Sequence, residues 1–183
     1  MSKPKIILMM GGQGVGKGTM SKMLLDNGNY DYIETGAMLR AAPADSDVAK
    51  TIAAGQLVSD EQIFGLVADN MHDEHDVLMD GFPRTLAQAQ WLVKTFAKKY
   101  DIHVIYMTVP TEIMLARINK RINEGAGRKD DADPDAVKRR LDTFFNVTVP
   151  AIEWLRTAPG VKFAEIDAQG TPETIYPEIQ KNI

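Results

Sequence analysis

Lys5-Ile6-Ile7-Leu8-Met9-Met10-Gly11-Gly12-Gln13-Gly14-Val15-Gly16-Lys17-Gly18-Thr19 is the stretch on which the fold turns. The apolar run from Lys5 to Met10 is bounded by glycines, as expected of a strand buried on both faces. A helix-like segment from Thr19 to Leu25 follows. Between them, four glycines precede Lys17. Glycine lets the backbone curl so that successive N–H groups point inward at one anion. The helix N-terminus adds partial positive charge, and Lys17 adds a mobile cation. The strand before and the helix after argue against a plain glycine-rich turn with a surface lysine. A phosphate-binding loop is the expectation.

Outward from this loop, strands and helices alternate. Further strands are expected at Tyr32-Ile33, Val77 to Met79, His103 to Val109 and Val161 to Ile166. Helices are expected within Met38 to Ala54 (broken at Pro43), from Asp60, and over Leu86 to Lys98, Glu112 to Asn123, Asp135 to Leu155 and Pro172 to Gln180. Val137, Leu141, Phe144 and Phe145 form the expected core face of the long Asp135 helix. Such alternation implies right-handed crossovers and a five-stranded parallel sheet with helices on both faces, an α/β fold. Met38 to Asp60 and Glu124 to Pro134 fit the alternation poorly and are candidate mobile flaps on the ligand side.

The 183 residues suggest one domain, and the net charge of −4 argues against a general nucleic-acid or anionic-membrane binder. With no cysteine there are no disulfides, thiolate zinc sites or cysteine nucleophiles. The apolar run near the start is too short for a signal peptide or a membrane span, so a soluble cytoplasmic protein is expected. His72 and His75 read as a solvated helix end, and His103 has no obvious partner.

Asp80 closes an apolar strand and is a candidate ligand for Mg²⁺ and its waters. Gly81-Phe82-Pro83-Arg84 then brings a guanidinium to the ligand edge. Of eight arginines, Arg117 and Arg121 share one helix face. Arg139 and Arg140 are adjacent, so they are not expected to point at one site together. A chain handling three or more phosphates needs such a cationic cluster, because phosphoryl transfer spreads negative charge over non-bridging oxygens.

Taken together, these segments resemble the adenylate kinases, among the nucleoside monophosphate kinases, over nearly the whole length. Gly11 to Thr19 is similar to that family's phosphate loop. Thr35 to Arg40 is similar to its Thr-Gly-Asp-Leu-Leu-Arg segment, and Gly55 to Asp60 to its Gly-x-Leu-Val-x-Asp segment. Asp80 to Thr85 with Gln88 resembles its signature, and Gly127 to Asp131 the short-lid version.

The resemblance implies a nucleoside-triphosphatase-type phosphate-loop fold, with residues 34–63 as a monophosphate-binding insertion and residues 122–134 as a short lid. It implies that Gly14, Val15, Gly16, Lys17, Gly18 and Thr19 hold the ATP phosphates. Arg117 would stack on the ATP base, and Gly170 would contact its adenine through the backbone. Thr35, Gln56, Leu57, Val58 and Gln88 would recognise AMP, beside Gly81, Phe82 and Pro83. Arg40 and Arg84 would clamp the AMP phosphate. Lys17, Arg84, Arg121, Arg128 and Arg140 would act on the transferring group, with Asp80 serving Mg²⁺ through water. No structural zinc is implied, and a monomer is expected. A pyrimidine (UMP/CMP) kinase and a non-catalytic nucleotide sensor are the alternatives. Thr85, Thr35 and Gln88 favour AMP. Four residues depart from the family pattern: Gln13 where Pro is usual, Val15 where Ser or Ala is commoner, Glu34 where a small residue is usual, and Ala37 where an acid is usual.

Overall fold

The computed structural model describes residues 3–53, 58–72, 74–127 and 131–183. Five parallel strands, β1 (Lys5–Met10), β2 (Tyr30–Glu34), β3 (Asp76–Asp80), β4 (Asp101–Thr108) and β5 (Val161–Asp167), lie in the order β2-β3-β1-β4-β5. The α/β sheet expected from the alternation is therefore present. The strand sequence departs in opposite directions from β1, and the carboxyl end of β1 lies at this switch, where open α/β sheets bind ligands.

Alternation along β1 builds two cores. Ile6, Leu8 and Met10 join one buried cluster, and Ile7 and Met9 the other. The first cluster is covered by α4 (Asp60–Asp69), α5 (Leu86–Phe96) and α8 (Val149–Thr157) through Val67, Leu92 and Ile152. The second is covered by α1 (Lys17–Asn27), α6 (Thr111–Asn123), α7 (Pro134–Thr143) and α9 (Pro172–Gln180) through Met20, Ile118, Leu141 and Ile179. Two short helices, α2 (Thr35–Arg40) and α3 (Asp47–Ala53), complete the described elements used below. Ser59 caps α4 in a reciprocal capping box with Gln62.

The expected single helix from Asp135 to Leu155 is instead two helices separated by a π-helical turn, Phe144–Thr148. Pro150, in the first turn of α8, explains the break. Its ring removes a backbone donor and crowds the preceding turn, and widening that turn relieves both effects. The wider turn also rotates Phe145 outward, to 43% exposure, while Phe144 stays buried. Phe145 therefore does not belong to the core.

His103 is not without a partner. It is buried on β4, and its Nδ1 lies 3.0 Å from the Asn182 carbonyl. His72 and His75 are exposed, as expected, and both approach the Asp31 carboxylate at 3.0–3.3 Å. Among the described residues, no helix is long and apolar enough to cross a membrane.

Candidate active site

The phosphate loop runs from β1 into α1. Gly11 has φ +147° and Gly14 φ +81°. A methyl group at either would lie 2.6 Å from a backbone oxygen, that of Met107 or Met114. Only glycine permits both the conformation and the contact. Lys17 is the first residue of α1, and its Nζ donates to the Gly11 and Gly12 carbonyls at 2.6 and 3.0 Å. The ammonium thus folds over the loop that generated it. Gln13 donates from Nε2 to the Val137 carbonyl of α7 at 2.9 Å, tying the loop to the helix that carries Arg139 and Arg140.

A cleft of about 680 Å³ opens over this loop. Lys17, Gly18, Thr19, Asp80, Gly81, Phe82, Pro83 and Arg84 line it, and so do Arg40, Arg117, Arg121 and Arg140. The cationic cluster expected from the sequence is therefore assembled on one cavity. Arg139 lines the cleft as well, contrary to the expectation that two adjacent helical arginines cannot serve one site. The cleft is wide enough to reach it at the rim, where it pairs with Asp133 at 3.4 Å.

Each arginine that lines the cleft is held by a definite protein contact. Arg117 donates to the Val15 carbonyl at 3.1 Å and to the Ala168 carbonyl at 2.7 Å, which fixes its plane between the phosphate loop and the loop after β5. Arg84 donates from Nε to the Gly81 carbonyl at 2.8 Å. Arg40 approaches Glu34 at 3.3 Å. Arg121 and Arg140 meet on one carboxylate, Asp131. Arg121 reaches Oδ2 through Nε at 3.1 Å and through a terminal nitrogen at 2.5 Å, and Arg140 reaches Oδ1 at 3.0 Å. The Asp131 side chain is fully buried. Its role was not legible in the sequence, because Asp131 stands among Asp130, Asp133 and Asp135 with nothing to single it out.

Three of the residues expected to read the AMP base make contacts within the protein. Thr35 is buried and donates from Oγ1 to the Gly81 carbonyl at 2.9 Å. Gln88 is buried, accepts the Arg84 backbone N–H at 2.8 Å and donates to Asp60 Oδ1 at 2.9 Å. Val58 packs against the core. None of these three lines the cleft, and neither does Gly170. Thr35 and Gln88 brace the Gly81–Arg84 turn. Gln56, Leu57 and Arg128 lie outside the described residues.

Oxygen donors gather at one corner. Asp80 ends β3, and its register partner Glu34 ends β2, so both project to the same side of the sheet and line the cleft with Thr19. Tyr32, two residues before Glu34, reports this negative charge. Burial first, and then the Asp80 and Glu34 carboxylates, push its phenol above the usual tyrosine range. Asp80 is the hard oxygen ligand here that fits Mg²⁺, which takes one or two carboxylates together with phosphates and waters, whereas the Glu34 carboxylate is turned to Arg40 at 3.3 Å.

The family model described as adenylate kinase matches residues 9–159. The chain belongs to the adenylate kinase family. Among its curated relatives, the adenylate kinase of Bacteroides thetaiotaomicron is 34% identical over 183 aligned positions, covering 94% of this chain and 95% of that protein. The adenylate kinase of Parvibaculum lavamentivorans is 36% identical, covering 92% and 90%. That of Mesoplasma florum is 31% identical, covering 94% and 97%. The matched span includes the phosphate loop, the Asp80 to Arg84 turn and the arginines of α6 and α7. Every residue that lines the cleft thus falls within the family match.

Proposed function

We propose that the chain is an ATP:AMP phosphotransferase that interconverts ATP plus AMP with two ADP in the presence of Mg²⁺. The observation that carries this reading is the convergence of Lys17 and six arginines on a single cleft at the carboxyl end of β1. In this reading an oxygen of the AMP phosphate attacks the terminal phosphorus of ATP, and the bond to the departing ADP oxygen breaks. No general base is required, because the attacking oxygen is already anionic. Catalysis is positioning and charge stabilisation. Arg40 and Arg84 hold the acceptor phosphate. Lys17, Arg121, Arg128 and Arg140 neutralise the transferring group. Asp80, with Thr19 nearby, would hold Mg²⁺ through water, and the ion supplies charge neutralisation of the phosphates. Neither a pyrimidine monophosphate kinase nor a turnover-deficient sensor is favoured beside relatives named adenylate kinase. The enzyme is taken to work as a cytoplasmic monomer.

A coupled assay with ATP against AMP, UMP, CMP and GMP tests the reading. ADP formation fastest with AMP is expected. A preference for UMP or CMP overturns the acceptor, and no ADP from any acceptor overturns the activity.

Residues 34–63 and 122–134 are proposed to close over the bound nucleotides as acceptor flap and short lid. Closure excludes water and prevents loss of the phosphoryl group to hydrolysis. A two-substrate analogue should therefore compact the protein in small-angle scattering. Identical profiles with and without the analogue would count against closure.

A further inference from the structure

Glu34 has no part in the transfer described above, yet its carboxylate rests on the acceptor clamp. It ends β2 directly beside Asp80, and its Oε1 lies 3.3 Å from a terminal nitrogen of Arg40. Arg40 and Arg84 converge over Gly36. A methyl group there would stand 3.1 Å from one terminal nitrogen of Arg40 and 3.5 Å from one of Arg84. Ala37, one turn before Arg40 on α2, carries no carboxylate. The ion pair is partly solvated, with Arg40 57% and Glu34 30% exposed, so it is weak enough to yield to a dianion.

We propose that Glu34 is a specificity-determining residue that sets acceptor affinity by competing with the monophosphate for Arg40. The inference rests on the acceptor reading of the Arg40–Arg84 clamp. The Glu34 carboxylate offsets part of the positive charge that the two guanidinium groups offer a phosphate. An incoming phosphate must displace or share the Glu34 contact, and it feels the repulsion of a fixed negative charge at the same distance scale. The cost falls on binding the acceptor. It does not fall on the chemical step, because the Glu34 contact is with Arg40, while Arg121 and Arg140 are held by Asp131. A residue acting this way raises KM and leaves kcat alone.

The test is steady-state kinetics on Glu34→Gln, which keeps size and hydrogen bonding but removes the charge. KM for AMP should fall about three- to tenfold, with kcat and KM for ATP within about twofold of wild type. The gap should shrink as salt rises from about 50 mM to about 500 mM, because the ion pair is partly exposed and screened. Glu34→Asp, which retains the charge, should keep KM close to wild type. An unchanged or higher KM for AMP in Glu34→Gln overturns the inference. So does an equal fall in KM for ATP, or a change confined to kcat and melting temperature, which is what a purely structural role would give. Calorimetric titration with AMP alone reads the same affinity without turnover. A wild type that binds AMP but forms no ADP overturns the proposed activity, and the affinity ratio of the two proteins still decides the role of Glu34.

Discussion

Replacing Lys17 with Met should lower kcat for ADP formation by about 10³-fold, roughly 4 kcal/mol of barrier, on the scale of losing one preorganised donor to a developing oxyanion. Lys17 leads α1 at the lip of the loop, and its ammonium rests on the Gly11 and Gly12 carbonyls. In the proposed reaction, these carbonyls would hold the cation where the outer phosphates arrive. Methionine keeps the aliphatic stem and a high helix propensity, so the fold should survive. The measurement is kcat at saturating ATP and AMP together with a thermal melt. A variant retaining more than about a tenth of wild-type turnover would mean that the loop does not serve the transferring phosphates.

Asp131→Ala should damage both stability and turnover. Asp131 is fully enclosed and gives each of its oxygens to a different arginine. Removing it leaves Arg121 and Arg140 facing each other at the cleft. Breaking an enclosed pair from one side costs about 3–5 kcal/mol. The two arginines are 31% and 27% exposed. Solvent therefore takes up part of this cost, and about 2–3 kcal/mol is the expected loss. For a chain of this size that lowers the melting temperature by roughly 4–12 °C. Turnover should fall about 10- to 100-fold, because the guanidinium groups lose the support that orients them. Asp131→Asn keeps the shape but can accept from only one of the two arginines, so it should recover part of the stability and little of the turnover. A melting temperature and kcat both at wild-type values in Asp131→Ala would show that the arginines are held by other groups.

Much of this chain is readable from residue order because the informative signals are local. The β1–loop–α1 unit is continuous in sequence, and its glycines, lysine and flanking periodicity lie within fifteen residues of one another. The same holds for the Val77 to Arg84 strand and turn. The arginines of α6 and α7 were legible as cations near ligand-side loops, since a residue after a strand in an α/β sheet falls at the binding edge. Where a signal depended on turn geometry, the expectation failed. Pro150 splits one expected helix into two and carries Phe145 from the core to the surface, because a proline effect is absorbed by the turn before it.

Residue order by itself determined the alternating α/β architecture, the phosphate loop and the set of cations available for phosphate, since each rests on spacing within one element. Only the tertiary structure decided what those cations hold in the protein. Asp131 lies ten residues from Arg121 and nine from Arg140, Gln13 bonds a carbonyl 124 residues away, and Glu34 meets Asp80 through strand register. Thr35 and Gln88 are turned into internal bonds for the same reason. A side chain's partner is selected by which groups the fold brings within about 3 Å, and a polar group enclosed there must be satisfied by whatever neighbour arrives.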